Sequence, residues 1–212
     1  MAKSFQGRLI IIVDFDYCGT EKRWLEMLNQ LSQLEPRDSF CIQVRIKGQN
    51  KPDYISLATK AREIVDSEVT TILNGDPQIA SDLGYDGVHL PKNHWRRLTE
   101  LNETNLLVSA AAHSTDALRF LNGFRVSMVL YSPIFAPTWK SRFGEPKGLE
   151  GLRKGVQDSA HPIYALGGIG EKETRRCLDA GAKGVAVLSG IVGTEDACKS
   201  AQSYLRYLYK HS

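Results

Sequence analysis

The sequence predicts an α/β protein, a single-domain (β/α)8 TIM barrel built on a parallel sheet. Three observations carry this. Apolar, β-branched runs recur along the chain with longer amphipathic stretches between them, the alternation of a parallel sheet joined by right-handed crossovers. The last two runs, Pro162–Leu166 and Gly184–Leu188, each open into small residues, Gly167-Gly168 and Ser189-Gly190. Such turns let backbone N–H groups approach a phosphate closely. The longest irregular segment, Ser132 to Gly148, follows the sixth run, on the side of a barrel where active-site loops lie.

The strands expected in order are Arg8–Asp14, Phe40–Ile46, Thr70–Leu73, Gly87–Leu90, Asn105–Ala110, Val126–Tyr131, Pro162–Leu166 and Gly184–Leu188. The clearest helices between them are Glu21–Leu34, Asp53–Val65, Thr115–Leu121, Lys172–Ala180 and Glu195–Tyr209. The last puts Ala197, Ala201, Tyr204, Leu205 and Leu208 on one face, as a helix packed on a sheet requires. Pro133, Pro137, Gly144 and Pro146 keep the sixth connection from being helical. An open doubly wound sheet is the alternative topology, because the third and fourth units carry the weakest pattern. Residues 1–212 show no linker or composition shift, so one domain is expected.

Composition narrows the function classes. Charged residues make up 24% and the net charge is +3, with Lys and Arg scattered rather than blocked, which argues against nucleic-acid binding. The N-terminal apolar run Leu9–Val13 is too short to span a membrane or to act as a secretory signal. Cys18, Cys41, Cys177 and Cys198 have no metal-binding spacing, and Cys41 and Cys177 fit small apolar positions in a reduced, cytoplasmic protein.

Several residues point to chemistry. Strand alternation puts Gln43, Arg45 and Lys47 on one face of the second strand, which in a barrel faces the pore. Two cations there need an anion, either a ligand or an internal acid such as Asp14 or Asp16. Asn74 ends strand three and Lys140 lies in the sixth connection, both at the same rim. Asp14 and Asp16 suit a cation or, as the more ordinary role, a helix cap. His89 lies near the end of strand four, His94 three residues beyond Pro91 and His113 after strand five, and each suits acid–base work near neutral pH. Against that, His89 fits a hydrogen-bonded core histidine, and His113 leads into the cap Ser114-Thr115-Asp116.

An ordered series of motifs spans nearly the whole chain. It comprises Gln43-Val-Arg-Ile-Lys47, Leu73-Asn-Gly-Asp76, Asp86-Gly-Val-His-Leu-Pro91, His113-Ser114, Ser132-Pro-Ile-Phe135 with Lys140, Gly148-Leu-Glu-Gly-Leu152, Ala165-Leu-Gly-Gly-Ile169 and Gly181–Ile191. In this the chain resembles the thiamin-phosphate synthase/TenI family. The resemblance implies a (β/α)8 barrel and one of two activities. Synthases join hydroxymethylpyrimidine diphosphate to thiazole phosphate with Mg2+, releasing diphosphate. Some TenI-type members convert a thiazole carboxylate phosphate to its aromatic tautomer. By the same resemblance Gln43, Arg45, Lys47, Asn74 and Lys140 hold the pyrimidine diphosphate. Gly167, Gly168, Leu188 and Ser189 hold the thiazole phosphate, and small phosphorylated heterocycles are the partners.

The chain departs from both branches. The two Asp positions that hold magnesium in synthases are Gly75 and His94 here, so no metal ligand is assigned and Mg2+ is expected only if the chain is a synthase. The catalytic His of TenI tautomerases is replaced by Pro133. The family threonines on the thiazole phosphate correspond to Pro137 and Trp139, leaving Thr138 as the nearby hydroxyl. The leading expectation is a TenI-like protein of thiamin biosynthesis that binds a thiazole phosphate, with His89, His94 or His113 as acid–base group and Lys140 steadying charge. A synthase, slowed by the lost carboxylates, is the first alternative. A non-catalytic phosphate-binding regulatory barrel is the second. A homodimer is compatible with each.

Overall fold

The computed structural model describes residues 5–136 and 144–209. Its strands are β1 (Leu9–Asp14), β2 (Phe40–Arg45), β3 (Thr70–Asn74), β4 (Gly87–Leu90), β5 (Leu107–Ala112), β6 (Met128–Tyr131), β7 (Ile163–Leu166) and β8 (Gly184–Val187). Each pairs in parallel with the next, and β8 closes on β1 through Leu9–Val185, Ile10–Ala186 and Ile11–Val187. Closure removes the open doubly wound alternative.

Both faces of each strand are buried, which is why the strands read as continuous apolar runs. The outward residues of β1 and β2, Leu9, Ile11, Val13, Phe40, Ile42 and Val44, join the large core beneath the helices. The inward residues Ile10, Ile12, Cys41, Ile72, Met128, Leu130, Tyr164 and Ala186 form a separate cluster filling the barrel. Tyr164 plugs its N-terminal end, where the hydroxyl donates to the Gly7 carbonyl at 2.6 Å.

The helices are α1 (Phe15–Cys18), α2 (Glu21–Ser32), α3 (Lys51–Ile64), α4 (Pro77–Asp82), α5 (Thr115–Leu121), α6 (Gly148–Asp158), α7 (Glu171–Asp179), α8 (Ser189–Val192) and α9 (Ala197–Tyr209). Side chains of Thr20, Asn50, Asp76 and Ser114 cap α2, α3, α4 and α5 by accepting backbone N–H groups of the first turn. On α2, Trp24 is fully buried and its indole donates to the Val13 carbonyl at 3.3 Å.

Several boundaries differ from expectation. Helix α3 starts at Lys51 because Asn50 is its cap. Strand β5 lies two residues further along, at Leu107–Ala112 rather than Asn105–Ala110. Leu106 is buried but precedes the strand, and three alanines with little strand preference end it. The fourth connection consists of 3-10 turns, Lys92–Arg97 and Thr99–Leu101. Helix α6 follows the irregular segment despite Gly148, Gly151 and Gly155. Gly155 has a packing reason, since a Cβ there would lie 2.6 Å from the Tyr131 ring.

The register places one polar line at the C-terminal end of the sheet. Asp14 pairs with Arg45, Arg45 with Asn74, Asn74 with His89, and His89 with Ser109. Five consecutive strands thus present polar side chains at the end where barrel enzymes carry their sites.

Candidate active site at the barrel mouth

A cavity of about 410 Å³ opens at that end. Its β2–β3 wall carries Gln43, Arg45, Lys47 and Asn74, and its β4–β6 wall carries His89, His113 and Ser132. The opposite wall is formed by Leu166, Gly167 and Gly168 after β7 and by Leu188 and Ser189 after β8. Ten of the expected site residues therefore face one space. His94 does not line it; the 3-10 turn carrying it runs along the rim, and its Nδ1 lies 3.4 Å from the Gly75 carbonyl oxygen. His94 therefore stands beside the cavity, against the β3–α4 turn. Lys140 and Thr138 lie outside the described residues.

The internal-acid alternative for Arg45 is realised, because its guanidinium pairs with Asp14. The same carboxylate caps α1, accepting the Tyr17 N–H at 2.8 Å. Burial lowers the pKa of Arg45 from its usual value, yet that value is so high that the group stays charged. Gln43 is only 2% exposed, and its Oε1 is buried without a hydrogen-bond partner. A buried, unsatisfied amide oxygen costs roughly 1–3 kcal/mol, so a ligand donor that reaches it restores that loss.

His89 is 5% exposed, and its Nδ1 lies 2.8 Å from Ser109 Oγ. Burial first, then the charges of Arg45, His113 and Lys47, push its pKa down to about 3. At neutral pH it is a neutral hydrogen-bonding group, so the proton-donor role of an imidazolium is not available to it. His113 differs. It is exposed at the mouth, and its Nδ1 lies 3.1 Å from both the hydroxyl and the carbonyl oxygen of Ser132.

Sequence reasoning passed over Lys147. Its ammonium donates to the Ser132 carbonyl at 2.8 Å and sits 5.2 Å from the centre of the Tyr131 ring. Burial lowers its pKa. Nothing in the pattern around Pro146-Lys147-Gly148 marks it, because the contact depends on the sixth connection folding back. That return is fixed by two backbone bonds, Lys147 N–H to Pro133 O at 3.0 Å and Gly148 N–H to Ile134 O at 2.9 Å.

The glycine turn after β7 is shaped by the same connection. Gly167 and Gly168 have φ of +98° and +63°, which favours glycine at both. A Cβ on Gly168 would lie 2.6 Å from the Ala136 carbonyl oxygen. Tyr204 of α9 supports the turn from behind, its hydroxyl donating to the Ile169 carbonyl at 2.9 Å.

Fold and mouth together define a closed (β/α)8 barrel with a largely apolar, glycine-rimmed cavity that carries cations on one wall. The chain belongs to the thiamine monophosphate synthase family, whose model matches residues 9–191. It is 28% identical over 206 residues to the thiamine-phosphate synthase of Koribacter versatilis, covering 95% of this chain and 96% of that one. It is 32% identical over 158 residues to the synthase of Pelotomaculum thermopropionicum, covering 73% and 72%. A solved thiamine phosphate pyrophosphorylase from Pyrococcus furiosus shares the fold, with a TM-score of 0.82 at 22% identity and 97% coverage of both chains.

The residues present do not fit the magnesium ion that the resemblance implies. Gly75 offers no side chain, and a Cβ built on it would lie 2.7 Å from the Tyr54 hydroxyl. Neighbouring Asp76 is engaged at both oxygens. Oδ1 accepts the N–H groups of Gln78 and Ile79 at 2.8 and 3.3 Å, and Oδ2 pairs with Arg97 at 2.9 Å. Among the described residues no three His, Cys, Asp or Glu side chains cluster as a metal site. No helix among them is long and apolar enough to cross a membrane.

Proposed function

We propose that this chain joins hydroxymethylpyrimidine diphosphate to thiazole phosphate, giving thiamin phosphate and releasing diphosphate. The observation that carries the reading is the convergence of Gln43, Arg45, Lys47 and Asn74 with Gly167, Gly168, Leu188 and Ser189 around one cavity. The names borne by the curated relatives support condensation over the tautomerase reading, and Pro133 offers no acid–base group where a tautomerase has its histidine.

In this reading the β2–β3 wall holds the diphosphate, with Lys140 completing that set, and the glycine turns and Thr138 hold the thiazole phosphate. The bond from the pyrimidine methylene carbon to the diphosphate oxygen breaks. The thiazole nitrogen supplies the electron pair for the new carbon–nitrogen bond, and diphosphate leaves with the electrons of the old one. The chain's part is to orient the two partners and stabilise the leaving anion, both strong levers on rate. Neutral His89 adds a hydrogen-bonding group without competing for the anion. The four free thiols accord with work in the cytoplasm.

The test is incubation of the purified chain with both substrates, following thiamin phosphate and diphosphate. Equal formation of the two is expected. Tautomer conversion without condensation would return the TenI-type reading, and tight ligand binding without either reaction would leave a regulatory barrel.

A further inference from the structure

We infer that the diphosphate end of this cavity takes its anion without a divalent cation, because the chain has rebuilt the metal position with Tyr54. The inference rests on the proposed diphosphate site and concerns how that site balances charge.

Three observations converge on Gly75. Its φ is +138°, a conformation that disfavours a side chain. The space a side chain would enter is occupied by Tyr54 of α3, whose hydroxyl donates to the Asn74 carbonyl at 3.0 Å. On the other side His94 lies against the Gly75 carbonyl at 3.4 Å, with an imidazole where the resemblance puts the second carboxylate. The loss is therefore more than two substitutions. The backbone turn, the tyrosine and the histidine occupy the position together, and reverting Gly75 alone would not reopen it.

The nearby carboxylates offer no substitute. Asp76 is held by the α4 N-terminus and Arg97, and Asp14 by Arg45 and the α1 N-terminus. A hard cation wants six oxygens in near-octahedral array and is usually held by one or two carboxylates plus phosphate oxygens. Releasing either acid would strip a partner from an arginine and a helix end. The cationic side chains that line the mouth are Arg45, which Asp14 already partners, and Lys47.

The test is calorimetric titration of the full chain with inorganic diphosphate, once in EDTA and once with excess Mg2+. A parallel titration uses Mn2+ and diphosphate followed by electron paramagnetic resonance. Binding in EDTA at least as tight as with Mg2+, which itself withdraws free diphosphate, and no Mn2+ captured beyond a protein-free control, are expected. Binding at least tenfold tighter with Mg2+, or one Mn2+ held per chain, would overturn the inference while leaving the diphosphate site standing. No diphosphate binding in either buffer would overturn the site and this inference with it. Condensation, assayed separately, tests the proposed function. A Tyr54→Ala/Gly75→Asp/His94→Asp variant, its fold checked by circular dichroism, is expected to capture Mn2+ with diphosphate. A folded variant that takes no Mn2+ would remove Tyr54 as the group closing the position.

Discussion

His89 shows how a residue can be legible in type and not in state. Its place near the end of strand four could be read from the chain, but its protonation depends on burial within the closed barrel and on the charges of Arg45, His113 and Lys47, which other strands and their extensions bring to it. Folded, the imidazole stays neutral down to about pH 3; unfolded, it takes a proton near pH 6.5. Between those values the unfolded state binds more protons, so stability falls as the pH drops through that window, by about 1.4 kcal/mol per pH unit. Urea unfolding at pH 7 and pH 5 should therefore show about 2 kcal/mol more acid loss in the wild type than in His89→Gln. Equal losses would mean that the imidazole is charged in the folded chain. Arg45 carries a different expectation. Arg45→Ala leaves Asp14 buried without its cation, a change worth roughly 3–5 kcal/mol, and should weaken diphosphate binding more than tenfold. Adding Asp14→Asn should recover much of the stability and none of the affinity, as unfolding and titration of both variants would show.

Among the elements, the strands were readable because burial on both faces makes each an apolar run, and all eight occur within a few residues of expectation. The short helix α4 was passed over although Asp76-Pro77 marks its start, because six residues carry too little periodicity. Helix α6 was hidden by its glycines. The turn after β7 was legible as a glycine pair, but its reason, the approach of Ala136, came only with the fold. Gly168→Ala should therefore displace the sixth connection, costing about 1–3 kcal/mol and raising the dissociation constant for thiazole phosphate. Equilibrium unfolding and a ligand titration of the same variant check both halves. Unchanged values in both would mean that the connection yields freely at Ala136.

At the scale of the molecule, the two ends of the barrel divide the labour. The mouth gathers polar groups from five strands, and the far end is closed by Tyr164 and the N-terminal segment. Tyr164→Ala should cost about 3–5 kcal/mol through the cavity it leaves, with ligand affinity unchanged because the mouth is untouched. Chemical denaturation paired with calorimetry reads both, and a matching loss of affinity would show the ends to be coupled. Barrel closure and the rim location of the site were legible from the alternation of runs and the small-residue turns. The exchange of metal position for Tyr54 was not. It needs α3 and β3 side by side, and nothing local to Tyr54 signals it.

The backbone bonds joining Lys147 and Gly148 to Pro133 and Ile134 make the sixth connection leave and re-enter the barrel through one fastened gateway. Whatever polypeptide is spliced between those posts, the strands beneath feel the same two anchors. Doubling the intervening length should cost only about 0.6 kcal/mol in chain entropy. This makes the gateway a natural grafting point, where new recognition sequence can be inserted without renegotiating the barrel that supports it, provided Ala136 keeps its place against Gly168.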